Sequence, residues 1–144
     1  MIHYFDSSAL VKKYIREAGT EKVLTALTAA SLRATSKLAY PEILSCLARK
    51  RRDKELSDAD HRKAVTAFEA DWRTFAVLEF QDELLPLMKQ LSARHPLKGA
   101  DLVHFASLLW LQKATREPAT LVASDMMLLR AAKAETVETF NPEE

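Results

Sequence analysis

Ile2-His3-Tyr4-Phe5-Asp6-Ser7-Ser8-Ala9-Leu10 decides how the rest of the chain is read. A short, mostly apolar run ends on an acid, and a helical pattern begins directly after it. The same order returns at Thr120-Leu121-Val122-Ala123-Ser124-Asp125, again with a helical pattern following. Buried strands that alternate with helices predict a parallel sheet covered on both faces. The strand ends that lead into helices then form one rim, and ligands bind at that rim. Asp6 and Asp125 are therefore expected to share it.

Outward from these two strands, the spacing of apolar residues predicts helices over Ser8–Arg16, from about Thr20 to Ala30, and over Lys37–Lys54. Gly19 sits where a left-handed helix cap is useful, and Ser36 is a candidate cap for the third helix. Pro41 is tolerable only near that helix's first turn. Ser57-Asp58-Ala59-Asp60 reads as a capping box with Asp in place of Glu, opening a helix to Trp72 or Arg73. Ala76–Phe80 reads as a strand, Asp82–Ala93 and Gly99–Thr115 as helices, the latter stopped before Pro118. A short helix to Lys133 and an edge strand Thr136–Phe140 follow Asp125. Arg33–Ser36 is the weakest strand candidate. With only 2 glycines, no linker and no repeat, residues 1–144 are expected to be a single domain: a three-layer α/β/α unit with a mainly parallel central sheet and helices inserted between Lys37 and Trp72.

The chain has 144 residues, enough for one full core, and its 48% hydrophobic and 28% charged content is that of a soluble globular protein. A formal net charge of +1 gives no global preference for a polyanion, so any nucleic-acid affinity must come from local patches. The single cysteine, Cys46, has no internal disulfide partner and reads as a packed core thiol among Ile43, Leu44 and Leu47, in keeping with a reducing compartment. No secretory leader is visible, and Leu108-Leu109-Trp110-Leu111 falls far short of the ~20 residues that span a bilayer. A cytoplasmic protein is expected.

Glu42 and Asp101 each lie near the start of a further predicted helix. Four carboxylates in one cavity raise one another's pKa or recruit a cation. Hard oxygen donors with water completing the shell suit Mg²⁺ or Mn²⁺, and the lack of a Cys/His set argues against zinc. Such ions activate water, hold a phosphate and stabilise a leaving 3′-oxygen during in-line attack. Each acid also has a plainer reading. Asp6 and Asp125 are candidate N-caps, and Glu42 a candidate exposed helix residue. His104, which shares a helix face with Asp101, reads equally well as a hydrogen-bonded packing residue. The joint placement of the four acids carries the expectation.

Four fragments in order resemble one family: Tyr4-Phe5-Asp6-Ser7-Ser8-Ala9-Leu10-Val11-Lys12, Ala34-Thr35-Ser36-x-Leu38-Ala39-Tyr40-x-Glu42, Leu97-Lys98-Gly99-Ala100-Asp101-x-x-His104-x-Ala106-Ser107, and Val122-Ala123-Ser124-Asp125. They are similar to the PIN-domain nucleases, specifically the VapC-type toxins of prokaryotic toxin–antitoxin pairs. The resemblance covers essentially the whole chain. It implies that Asp6, Glu42, Asp101 and Asp125 are the catalytic, metal-coordinating acids, with Ser7, Ser124 and His104 in support. It further implies a Mg²⁺- or Mn²⁺-dependent endoribonuclease acting on structured RNA such as tRNA or rRNA, a homodimer, and inhibition by a cognate VapB-type antitoxin. Glu55 to Arg94 matches no motif, so substrate-selecting features there are unread.

Arg49-Lys50-Arg51-Arg52-Asp53-Lys54 is the densest charge run. It reads either as a solvated helix end favoured by the dipole or as a phosphate track built on Arg49, Arg51 and Arg52. Lys98, close to Asp101, is a further candidate phosphate contact. Trp72 and Trp110 are expected in the core or at an interface rather than stacked on bases. Two other α/β families with a rim acid fit less well. A haloacid-dehalogenase phosphatase wants a second Asp at position 8, which is Ser, and a response-regulator receiver wants a pair of neighbouring acids after the first strand. A non-toxin RNA-processing nuclease and a catalytically silent RNA-binding PIN-like module are the remaining alternatives.

Overall fold

A computed structural model describes residues 1–144. The elements are β1 (Ile2–Phe5), α1 (Ser7–Leu10) with a 3-10 turn Val11–Lys13, α2 (Thr20–Ala29), β2 (Leu32–Ser36), α3 (Ala39–Arg52), α4 (Asp58–Trp72), β3 (Ala76–Leu78), α5 (Leu84–Arg94), α6 (Gly99–Thr115), β4 (Ala119–Val122), α7 (Met126–Ala134) and β5 (Thr139–Phe140). The strands form one sheet in the order β3-β2-β1-β4-β5, and every neighbouring pair is parallel. From central β1 the chain winds one way to β2 and β3, then crosses to β4 and β5. The strand order thus reverses between β1 and β4, which is where such sheets open a crevice.

Alternation along β1 feeds two cores, one on each face of the sheet. Ile2 and Tyr4 point into a cluster with Leu84, Phe105, Leu108 and Leu128 from α5, α6 and α7. Phe5 points into a second cluster with Leu10, Val23, Ile43, Leu47 and Phe68 from α1 to α4. This is the three-layer α/β/α architecture expected from the sequence.

Several boundaries differ from expectation for identifiable reasons. The first helix stops at Lys13 rather than Arg16, because it tightens into a 3-10 turn. Gly19 does take a left-handed conformation, φ 95°, but it opens α2 rather than closing α1. A Cβ at that position would lie 3.0 Å from the Pro142 carbonyl oxygen, so glycine is required twice over. The weakest strand candidate is an interior strand: β2 lies between β1 and β3, and its Thr35 hydroxyl, wholly buried, donates to the Phe5 carbonyl at 2.7 Å. Ser36 accepts the Leu38 amide without capping α3, and Pro41 falls at that helix's third residue, where no backbone donor is lost. The last strand is confined to Thr139–Phe140 because Thr136 has φ 59° and breaks the extended run.

Candidate active site

Asp6 ends β1. Its amide donates to the Val122 carbonyl at 3.1 Å, which fixes it against the end of β4. Its carboxylate accepts the Ala9 amide at 3.2 Å, capping α1, and the Ser8 hydroxyl lies 2.8 and 2.9 Å from its two oxygens. The residue is only 4% exposed. Burial pushes its pKa up to about 6, assisted by Asp101 and opposed by the His104 ring, Ser8 and the Ala9 amide. The Ser8 Oγ also accepts the Ser124 amide at 3.0 Å and so ties the end of β4 to the start of α1.

Glu42 stands in the first turn of α3 and is half-buried. Its Oε1 accepts from Ser7 Oγ and from His104 Nε2, each at 2.7 Å. Burial would raise its pKa, but these bonds outweigh that and hold it below the usual glutamate range. His104, 2% exposed, meets the Tyr4 hydroxyl through Nδ1 at 2.9 Å.

Asp101 stands in the first turn of α6, where a carboxylate is favoured by the helix dipole. Its pKa is nevertheless raised, by burial, then by Asp125 and Glu42, against the counter-influence of His104 and Lys98. Asp125 is the N-cap of α7 and accepts the Leu128 amide at 3.0 Å. The plain structural role thus exists at both strand-end acids: Asp6 and Asp125 do cap helices. It leaves the electrostatic coupling intact, since Asp6 feels Asp101, and Asp101 feels Asp125 and Glu42.

The four acids are thus linked in pairs through their charges, and no three His, Cys, Asp or Glu side chains close into a metal-holding cluster. The Asp6 carboxylate is engaged by Ser8, and that of Glu42 by Ser7 and His104. The donor set is all carboxylate, with Asp6 and Asp101 raised by burial first and by neighbouring acids second, and its chemistry fits a hard divalent cation that keeps several of its own waters.

Of the expected supports, Ser7 and His104 both reach Glu42. Ser124 contributes its amide to Ser8, while its hydroxyl is buried without a hydrogen-bond partner. Two participants do not stand out in the sequence. Ser8 reads there as an ordinary helix-start residue, and Tyr4 as one more apolar strand position. The signal for Tyr4 is a phenol in a wholly buried register, which needs a polar partner.

The basic candidates separate by position. Arg49 lines a cleft of about 510 Å³ together with Ser7, Ser8 and Glu42, whereas Arg51 and Arg52 do not line it. All three arginines are exposed and make no ion pair, while Lys50 pairs with Glu55. Lys98 is exposed at the N-cap of α6. Trp72, part-buried, packs edge-on against Tyr40 and Phe68, and the part-buried Trp110 donates from Nε1 to Glu83. Cys46 is half-buried against the second core, as expected. No helix is long and apolar enough to cross a membrane.

A model of the PIN domain family matches residues 3–138. Ribonuclease VapC45 of Mycobacterium tuberculosis (strain CDC 1551 / Oshkosh) is 34% identical over 124 residues, covering 83% of this chain and 81% of that protein. Among solved structures, FitAcB from Neisseria gonorrhoeae superposes with a TM-score of 0.71 at 19% identity, over 99% of this chain and 98% of that one. VapBC2 from Rickettsia felis, bound to a DNA fragment from their promoter, gives a TM-score of 0.66 at 13% identity, over 98% of each. At these identities the two structural likenesses concern the fold.

Proposed function

Because this chain belongs to the PIN domain family, we propose that residues 1–144 act as one Mg²⁺- or Mn²⁺-dependent endoribonuclease unit, the toxin of a toxin–antitoxin pair. The observation that supports this reading is that burial raises Asp6, at the end of the β1 run, and Asp101, at the start of α6, with Asp101 adding to the first and Asp125 and Glu42 to the second.

Asp6, Asp101 and Asp125 would hold the cation, with Glu42 holding a second ion or orienting water. When bound, a hard divalent ion neutralises the carboxylates, lowers the pKa of water and stabilises charge on an RNA phosphate. The chain's own residues do the rest. Ser8 and the Ala9 amide fix the Asp6 carboxylate, and Ser7 and His104 fix that of Glu42. Asp101 and Asp125 are held at their helix starts. Arg49, at the end of the cleft that Glu42 lines, is placed to pair with a flanking phosphate, and Lys98 offers a second cation near Asp101.

The same reading includes a cytoplasmic homodimer held inactive by a VapB-type antitoxin. What supports a protein partner is a pair of adjoining apolar grooves, about 550 and 620 Å³, that share Leu38 and Phe80. Phe80 is 56% exposed and Leu85, in the second groove, 49%.

The test is cleavage of total RNA by purified protein with and without Mg²⁺ or Mn²⁺, followed by sequencing of the new 5′ ends. Metal-dependent cuts lost in Asp101→Asn support the nuclease, and cuts that persist in EDTA would refute it. Growth arrest on expression of the wild type, absent with Asp6→Asn, supports the toxin role. Equal growth would remove that role and leave an RNA-processing enzyme.

A further inference from the structure

Resting on the reading of Glu42 as a site carboxylate, we propose that Tyr4 and His104 are positioning residues that aim it. The carboxylate of Glu42 can only accept, so His104 Nε2 carries a proton whether the ring is neutral or charged. Nδ1 is then committed to the Tyr4 hydroxyl, accepting from it in the neutral ring and donating to it in the charged one. Either way the ring is pinned at both nitrogens and has no freedom to rotate.

Three features set this apart from a merely satisfied core histidine. First, Glu42 is half-buried and has water available, so its own solvation does not require a wholly buried ring. Second, both protein donors, Ser7 and His104, converge on Oε1, and no other side chain or amide of the chain donates to Oε2. One oxygen is saturated and its twin is left for an ion or substrate. Third, the links are carried by the elements that carry the other acids. Tyr4 lies on β1 two residues before Asp6, and His104 on α6 one turn beyond Asp101. The chain Tyr4–His104–Glu42 therefore references α3 to the two elements that bear Asp6 and Asp101. A buried partner behind a ligating side chain is the arrangement by which proteins fix ligand orientation.

The experiment compares Tyr4→Phe, His104→Ala and His104→Gln with wild type by Mn²⁺ titration calorimetry, by kcat and KM on RNA, and by metal-free crystal structures. The proposal expects Tyr4→Phe and His104→Ala to weaken Mn²⁺ binding roughly tenfold or more. It expects kcat to fall while KM stays within about twofold. It expects His104→Gln, whose amide donates from the Nε2 position, to recover most of the loss. In metal-free His104→Ala the Glu42 carboxylate should leave its place beside Ser7. Variants that melt lower but keep wild-type Mn²⁺ affinity, wild-type kcat and an unmoved Glu42 would overturn it, leaving a packing role. Should wild type itself bind no Mn²⁺, the metal-site reading fails separately. The Glu42 carboxylate in His104→Ala then decides alone, displaced in support or unmoved against.

Discussion

Ser8 and Ser124, 116 residues apart in the chain, are joined by a 3.0 Å hydrogen bond from the Ser124 amide to the Ser8 hydroxyl, which in turn donates to Asp6. Two strand ends and one acid thus depend on a single side-chain oxygen. Ser8→Ala should cost about 1–3 kcal/mol, because it leaves a part-buried amide unpaired and frees Asp6. Urea unfolding measures this. A change of only a few tenths would mean that water replaces the hydroxyl without loss.

The pKa of Asp6, raised from 3.8 to about 6, makes stability fall with rising pH. The folded state binds the proton more tightly than the unfolded state. The stabilisation is therefore complete below about pH 4 and lost by about pH 6, on the order of 3 kcal/mol. Asp101 acts in the same direction. Glu42, held low, acts oppositely and only at more acidic pH. In EDTA the wild type should lose stability across this window and Asp6→Asn should lose distinctly less, keeping only the Asp101 share. A wild-type profile that rises from pH 4 to 6 would contradict the burial of Asp6.

Divalent ions should reverse that loss. Mg²⁺ or Mn²⁺ at roughly 100-fold excess over Kd adds about 2.7 kcal/mol by linkage. Without metal, Asp101→Asn should melt at or above wild type, since it removes repulsion from Asp125 and Glu42. Asp6→Asn keeps the capping oxygen and should also melt no lower than wild type, whereas Asp6→Ala loses the cap and about 1 kcal/mol. Differential scanning calorimetry in EDTA and in MnCl₂ separates these cases.

Arg49→Ala should weaken RNA binding and flatten its salt dependence by about one unit of slope. Lys22→Ala, exposed on α2, should do neither. Fluorescence anisotropy in metal-free buffer gives both numbers. Equal effects would show that the cleft does not single out Arg49.

The architecture is largely legible because apolar runs ending on acids recur at both ends of the chain. The helix over Gly99–Thr115 falls at the residues expected. The weak point is β2, whose Thr35 and Ser36 are buried but polar, so hydropathy under-reads them. The first helix is over-extended in the sequence reading because its apolar pattern does not distinguish an α-turn from a 3-10 turn. In the candidate site, the four acids are proposed from type and position. Their supports are not, because Ser8 and Tyr4 act through neighbours more than 90 residues away. No local window holds both partners.

The strand order has a bearing on synthesis. A ribosome that has released β1, β2 and β3 has delivered Asp6 and Glu42 without Asp101 or Asp125, and β1 still lacks the neighbour on its other side. The acidic set is completed only when β4 slots in beside β1 and brings Asp125 with it. A nascent chain therefore cannot assemble the four acids until nearly all of it has emerged.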